Sequence, residues 1–310
     1  MPTLYIDEFV GISNRFEALP LAFAIQKEYG HRIVLDWHEL DSFSVEGTTR
    51  GKVRPWTKLG AVRVRDCDLS MFKTLAGKKV ICRSLDGPDE YLDPIYMDVA
   101  ARVKAAPFVA EGIARSFKPY ADRPVVAVHI RQGDYHMVST DRYDIGTEWP
   151  AVPVWWYAAA MRKVLALQPD AVFFVAHNGS RSTLQALFDE FPTFQLDLKS
   201  PYDYKGPDHQ SDVNPVADLF ALACCTTLLA TPVSGYSHWA ANVMGPVSAS
   251  IVPIPGCTEA APQFGVVNMF GARMPRWRAA GRTGSDTTVL DDQWTGVNLS
   301  GRAELGWMSR

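Results

Sequence analysis

From Pro124 onward the chain alternates β-branched runs with amphipathic helical segments, and this alternation restricts the fold more than any other feature. VVAVHI, residues 125–130, is a continuous apolar run of the kind that fills a strand covered on both faces. WWYAAAMRKVLAL (155–167) reads as a helix, VFFVA (172–176) as a strand, and STLQALFDEF (182–191) as a helix opened by serine. FQLDL, VADLFALACC, TLLAT, SHWAANVMG and SASIVPI carry the rhythm to about Ile254. Strands separated by helices need right-handed crossovers, which puts them in one parallel, doubly wound sheet.

The first part is less regular. TLYID (3–7) reads as a strand, Gly11 to Asn14 as a turn, and IVLDW (33–37) as the next strand after a helix that stops at Gly30. Phe16, Leu19 and Phe23 keep helical spacing, but Pro20 lacks an amide donor and predicts a regular helix only from about Leu19. Leu40 to Arg65, rich in Ser, Gly, Thr and charge, yields no placeable element and reads as a loop that meets substrate. A chain of 310 residues exceeds the size at which single cores stop growing, so two domains are expected. We divide it into an α/β domain at 1–122, a second at 124–255, and a tail at 256–310 that packs back on the first or stays mobile.

A net charge of −3 offers no field for a polyanion, which argues against a nucleic-acid surface. The start has no basic segment leading into an apolar one, and no apolar run has the length of a transmembrane span. Cys67, Cys82, Cys224, Cys225 and Cys257 lack zinc-ligand spacing and read as buried thiols of a cytoplasmic protein. The histidines do not cluster at ligand spacing and no Asp-x-Asp pair is read at a strand end, so nothing in the sequence points to a metal site.

In an open parallel sheet, ligands bind beyond the carboxyl ends of the strands. That places the loops after Ile130, Ala176, Leu198 and Thr231 around one cleft. In the first loop, Arg131 can bind a phosphate through paired hydrogen bonds, and Gly133 permits a tight turn beside it. His129, inside the apolar run, is either a core residue with a hydrogen-bond partner or part of the site.

HIRQGDY (129–135) resembles the His-x-Arg-Arg-Gly-Asp-Tyr segment of α-1,2-fucosyltransferases and the related segment of α-1,6-fucosyltransferases, including the rhizobial nodulation enzymes. DLFALACCTTLLATPVSGYSHWAANV (218–243) is similar to the last shared region of that superfamily: an acidic residue opens a helix, a short strand follows, and a Ser-x-aromatic-Ser turn starts the next helix. VGISNRFEALPLAFAIQKEYGHRIVLDW (10–37) resembles its amino-terminal Gly-x-Gly-Asn turn, helix and strand, with Ser13 in place of the second glycine.

The resemblance implies a GT-B fold, two Rossmann-like domains facing a cleft, and an inverting, metal-independent transfer of fucose from GDP-fucose to a glycan hydroxyl. Arg131 would bind the β-phosphate and stabilise the leaving GDP. His129 and Asp218 would recognise guanine, whose ring N–H and exocyclic amine both suit a carboxylate. Ser234, Gly235, Tyr236 and Ser237 would hold phosphate, although a serine there is equally a helix cap. Gly11 and Asn14 would reach the diphosphate from the first domain, and Asn178 would bind ribose or base. Asp134 is either the acceptor's base or the partner that orients Arg131.

Two departures stand out. Gln132 replaces the second arginine, and His177-Asn178-Gly179-Ser180 replaces the adjacent acids of the α-1,6 enzymes. They leave open another nucleotide sugar as donor, or a catalytically inactive nucleotide-sugar-binding protein.

Overall fold

A computed structural model describes residues 1–146, 149–199, 212–267, 269–273 and 287–309. The chain forms two compact units, Met1–Ala106 with Gly271–Arg273, and Pro107–Phe270 with Met274–Arg310.

The first unit contains β1 (Thr3–Asp7), α1 (Ile12–Tyr29), β2 (Arg32–Asp36), β3 (Phe43–Val45), β4 (Thr48–Arg50), β5 (Val62–Val64), α2 (Leu69–Lys73), β6 (Val80–Cys82), α3 (Asp89–Leu92), α4 (Tyr96–Ala100) and β7 (Val103–Ala105). Its main sheet has the order β4-β2-β1-β6-β5 and is parallel throughout, with Thr3 to Asp7 in register with Arg32 to Asp36. Antiparallel β3 and β7 form a separate pair.

Two expectations for this unit are corrected. The helix runs unbroken from Ile12 through Pro20 to Tyr29. Proline in a helix costs about 3 kcal/mol, but Phe16, Leu19, Leu21, Phe23 and Ile25 are all buried, at about 1.5–3 kcal/mol each, so packing outweighs propensity. Gly30 does close it in the left-handed conformation at φ 70°, with its N–H on the Gln26 carbonyl at 2.8 Å. The stretch 40–65 is also structured, carrying β3, β4 and β5 as three-residue strands. Strands so short show no periodicity in sequence.

The second unit contains α5 (Pro107–Phe117), β8 (Val125–Ile130), α6 (Val154–Leu167), β9 (Val172–His177), α7 (Arg181–Glu190), β10 (Thr193–Phe194), α8 (Pro215–Leu222), β11 (Thr227–Leu229), α9 (Gly235–His238), β12 (Ala249–Pro253), β13 (Phe264–Val267) and β14 (Thr287–Val289). The sheet order is β10-β9-β8-β11-β12-β13-β14, parallel up to β12 and antiparallel beyond. All six residues of β8 and of β9 are buried, as expected for central strands covered on both faces.

The sequence divides the chain near Arg123, whereas contacts put α5 with the second unit because Phe117 packs 5.3 Å from Phe174 and 5.0 Å from Phe194. In the tail, Gly271–Arg273 joins the first unit. Other described tail residues complete the second: Trp294 and Leu299 belong to its core, and the Gly301 carbonyl accepts from the Val125 N–H. The expected FQLDL strand is only Thr193–Phe194, and most of the loop after Leu198 lies outside the described residues.

Candidate functional site

At the carboxyl edge of the second unit's sheet, three loops are tied to one another by side chains. The Arg131 N–H donates to the Thr231 hydroxyl at 3.0 Å, joining the ends of β8 and β11. Asn178, just after β9, accepts from the Gln132 N–H at 2.6 Å and donates to the Gln132 carbonyl at 2.9 Å. Asn178 therefore holds the Arg131 loop in place with both ends of its amide. Gln132 turns onto the β9 loop and accepts from the Thr183 hydroxyl at 3.1 Å, over a Gly179 whose Cβ would collide with it.

Arg131 is clamped side-on by Asp134, with Nε and Nη2 donating to the two carboxylate oxygens at 2.7 and 2.6 Å. Gly133 makes this i,i+3 closure possible at φ 76°, where a side chain is strained. Two of the five guanidinium N–H groups are thus used by Asp134, and among the described residues no hydrogen-bond partner takes the other three. Burial opposes the Arg131 charge, but Asp134 more than offsets it and raises the pKa.

His129 is buried, and its Nδ1 pairs with the Ser237 hydroxyl at 2.7 Å while its ring stacks on Tyr236 at 4.8 Å. Desolvation, then the Arg131 charge and His177, lower its pKa to about 3, so the imidazole is neutral at physiological pH. His129 is thus a buried residue with a hydrogen-bond partner, and through Ser237 and Tyr236 it holds the serine turn.

That turn begins under backbone strain. Val233 sits at φ 64°, a conformation a β-branched residue rarely adopts, and its carbonyl accepts from the Tyr135 hydroxyl at 3.3 Å. Ser234 caps α9 by accepting from the Ser237 N–H at 3.4 Å. Tyr236 donates to the Pro215 carbonyl, tying α9 to the start of α8. Beyond His238 the helix widens into a π turn over Trp239–Val243, a form frequent at functional sites.

Asp218 lies in the first turn of α8, which Asn214 caps by accepting from the Val216 and Ala217 N–H groups. Its side chain is only 6% exposed, and among the described residues no donor meets its carboxylate. Burial alone pushes its pKa well above the ordinary value. Next to the serine turn, a cavity of about 40 Å³ is lined by Thr231, Ser234, Ser237, His238 and Asn242 among others. The Asn242 Oδ1 is buried there without a hydrogen bond. His238 and Asn242 were missed in the sequence; their spacing from Ser234, at i+4 and i+8, was the available signal.

Gly11 and Asn14 belong to the first unit. Gly11 precedes α1, and Asn14 is half-buried in its first turn with no side-chain hydrogen bond among the described residues. Glu17 accepts from the Tyr96 hydroxyl at 2.8 Å, and Asp36 pairs with Lys52 at 3.0 Å. An Asp-x-Asp pair does follow β5, but its Asp68 caps α2 by accepting from the Met71 N–H. Among the described residues no group of three His, Cys, Asp or Glu could hold a metal ion. All five cysteines are free and buried, and no described helix is long and apolar enough to cross a membrane.

The sequence matches no protein-family model, and no curated protein matches it significantly. Solved structures do match. NodZ α-1,6-fucosyltransferase soaked with GDP-fucose aligns with a TM-score of 0.54 at 13% identity, covering 86% of this chain and 99% of that one. The selenomethionine form of NodZ from Bradyrhizobium aligns at 0.50 and 12% identity, again over 86% and 99%. An Arabidopsis thaliana FUT1 mutant in complex with GDP aligns at 0.52 and 11% identity, over 90% of this chain and 78% of that one. Identities this low speak for fold alone, and the parallel sheets with their crossover helices have the fucosyltransferase-like GT-B fold.

Proposed function

We propose that the protein is an inverting, metal-independent glycosyltransferase that moves fucose from GDP-fucose to a glycan hydroxyl. The observation that carries this reading is Asp218, a buried carboxyl group without a donor at the ligand edge of the second unit. A carboxyl group buried this far without a donor is costly, and a ligand that brings paired donors can satisfy it. Guanine supplies a ring N–H and an exocyclic amine side by side, the pair of donors a carboxylate accepts in one plane.

The rest of the site supports a diphosphate. Arg131, set by Asp134, offers three N–H donors for the β-phosphate and would stabilise the charge that grows on GDP as the glycosidic bond breaks. Stabilising that charge with arginine leaves no step that needs a cation. Ser234 and the N–H groups at the start of α9 contribute donors to phosphate, while the Ser237 hydroxyl is engaged by His129. Gly235 lets the phosphate approach the main chain, and Tyr236 holds the turn against α8. Asn178 acts through the loop it fixes. Asp134 serves as the orienting partner of Arg131. The free cysteines fit a reducing cytoplasm.

Calorimetry with GDP, GDP-fucose, GDP-mannose and UDP-sugars, followed by a GDP-release assay on glycan acceptors, tests the reading. GDP-fucose should bind and turn over. Preference for a uridine nucleotide would point to another donor, and tight GDP binding without turnover on a broad acceptor set to an inactive binding protein.

A further inference from the structure

The carboxyl edge of the first unit's sheet is unevenly charged. On one side, Asp36 at the end of β2 pairs with Lys52, and Asp7 at the end of β1 is gripped side-on by Arg83 from the end of β6, at 2.8 and 2.5 Å. On the other side, a cavity of about 80 Å³ is lined by Lys58, Arg63, Val64, Arg65, Ile81 and Arg83. Four of these six residues are cations. Among the described residues no carboxylate pairs with Lys58, Arg63 or Arg65, although Asp66 is the next residue in the chain.

Like charges brought together around a cavity repel unless an anion joins them. We propose that this cavity is an acceptor subsite for one anionic group, a carboxylate or phosphate, carried by a saccharide. The inference rests on the transferase reading above, with the first unit as the acceptor side. It spans the last part of two neighbouring parallel strands and their carboxyl edge, since Arg63 and Ile81 lie within β5 and β6 and Arg65 and Arg83 are the first residues beyond them. Its volume is enough to hold such a group. Beside it, Trp56 stands on the same helical turn as Lys58. That indole is 61% exposed with the Arg54 guanidinium 5.1 Å over it, a surface on which the C–H face of a sugar can stack.

The test uses the full chain and a Lys58→Gln/Arg63→Gln/Arg65→Gln variant, whose exposed or half-exposed positions leave the core untouched. Each is titrated by calorimetry with a hexuronate-containing oligosaccharide, its carboxyl-reduced counterpart, a phosphorylated oligosaccharide, inorganic phosphate and a short single-stranded RNA. An acidic oligosaccharide of either kind should bind at least tenfold more tightly than the neutral one, and the variant should lose that preference; which of the two binds identifies the anion. Equal binding of acidic and neutral saccharides, an undiminished variant, or equally tight binding of RNA or inorganic phosphate would overturn the proposal. GDP titrated into the same samples keeps the two readings separate: absence of GDP binding would remove the donor assignment while leaving selective acidic-saccharide binding to support the subsite.

Discussion

The two units treat buried carboxylates in opposite ways. Among the described residues, the buried acids are Asp7, Glu17 and Glu39 in the first unit and Asp218 in the second. Each of the first three has a donor: Arg83 on Asp7, the Tyr96 hydroxyl on Glu17, and Arg15 on Glu39 at 2.5 and 3.0 Å. Asp218 has none. The same edge of the second unit also carries the strained Val233 and the unsatisfied Asn242 Oδ1. A fold that satisfies its acids in one place can leave one unsatisfied in another only at a cost in stability, and such costs cluster where a ligand will bind.

The contrast can be broken at several points. The largest effect is expected from Arg131→Ala, which should lower turnover by at least about a thousandfold while circular dichroism and melting stay close to those of the parent. Near-normal turnover in that variant would remove Arg131 from the mechanism. Next comes Glu39→Gln, which leaves the buried Arg15 of the first unit with Glu8, at 3.3 Å, as its ionic partner. It should cost about 3–5 kcal/mol in denaturant unfolding without changing GDP affinity. Burial raises the Glu39 pKa, but the Arg15 hydrogen bonds and charge more than reverse this, and the net value is lowered. Its contribution is therefore present above the unfolded pKa of about 4 and lost as pH falls, so the penalty should shrink on acidification.

Asp218→Asn should behave in the opposite sense. The Asp218 pKa is raised, so its stability is full below the unfolded pKa of about 4 and declines as pH rises toward the folded value. The variant should melt like the parent near pH 4 and above it at neutral pH, while binding GDP about 10- to 100-fold more weakly. A lower melting temperature at neutral pH would show that the carboxylate has a donor in the free protein. The smallest effect belongs to Val233→Gly, in which relief of left-handed strain of about 1–3 kcal/mol offsets loss of a buried side chain worth about 1.5–3 kcal/mol, so stability should change little. Loss of GDP affinity in that variant would show that the strain serves to shape the site.

How much of this was legible in sequence depends on what each region buries. Central strands such as Val125–Ile130 and Val172–His177 are covered on both faces and leave continuous apolar runs, so the second unit's alternation was readable. Strands of three residues, as in Phe43–Val45 and Val62–Val64, leave no pattern, and Pro20 misplaced a helix start that tertiary burial decides. In the candidate site, Gly133 and Arg131 followed from strand-end chemistry. The pairing of His129 with Ser237 spans 108 residues and no local pattern encodes it. Asn178 and Gln132 read as departures from a ligand-binding pattern, yet the structure uses them to fasten two loops together. His238 and Asn242 were hidden because a helical face acquires meaning only once the cavity beside it is known.

GDP binding followed across pH tests the role of Asp218 most directly. If the carboxyl is protonated in the free protein and ionised against guanine, GDP should bind at least tenfold more tightly than UDP. The affinity should rise with pH below the folded pKa, with a proton released that calorimetry in buffers of different ionisation enthalpy can count, and Asp218→Asn should abolish that release. Equal affinity for GDP and UDP, or GDP binding that neither releases a proton nor responds to Asp218→Asn, would contradict it.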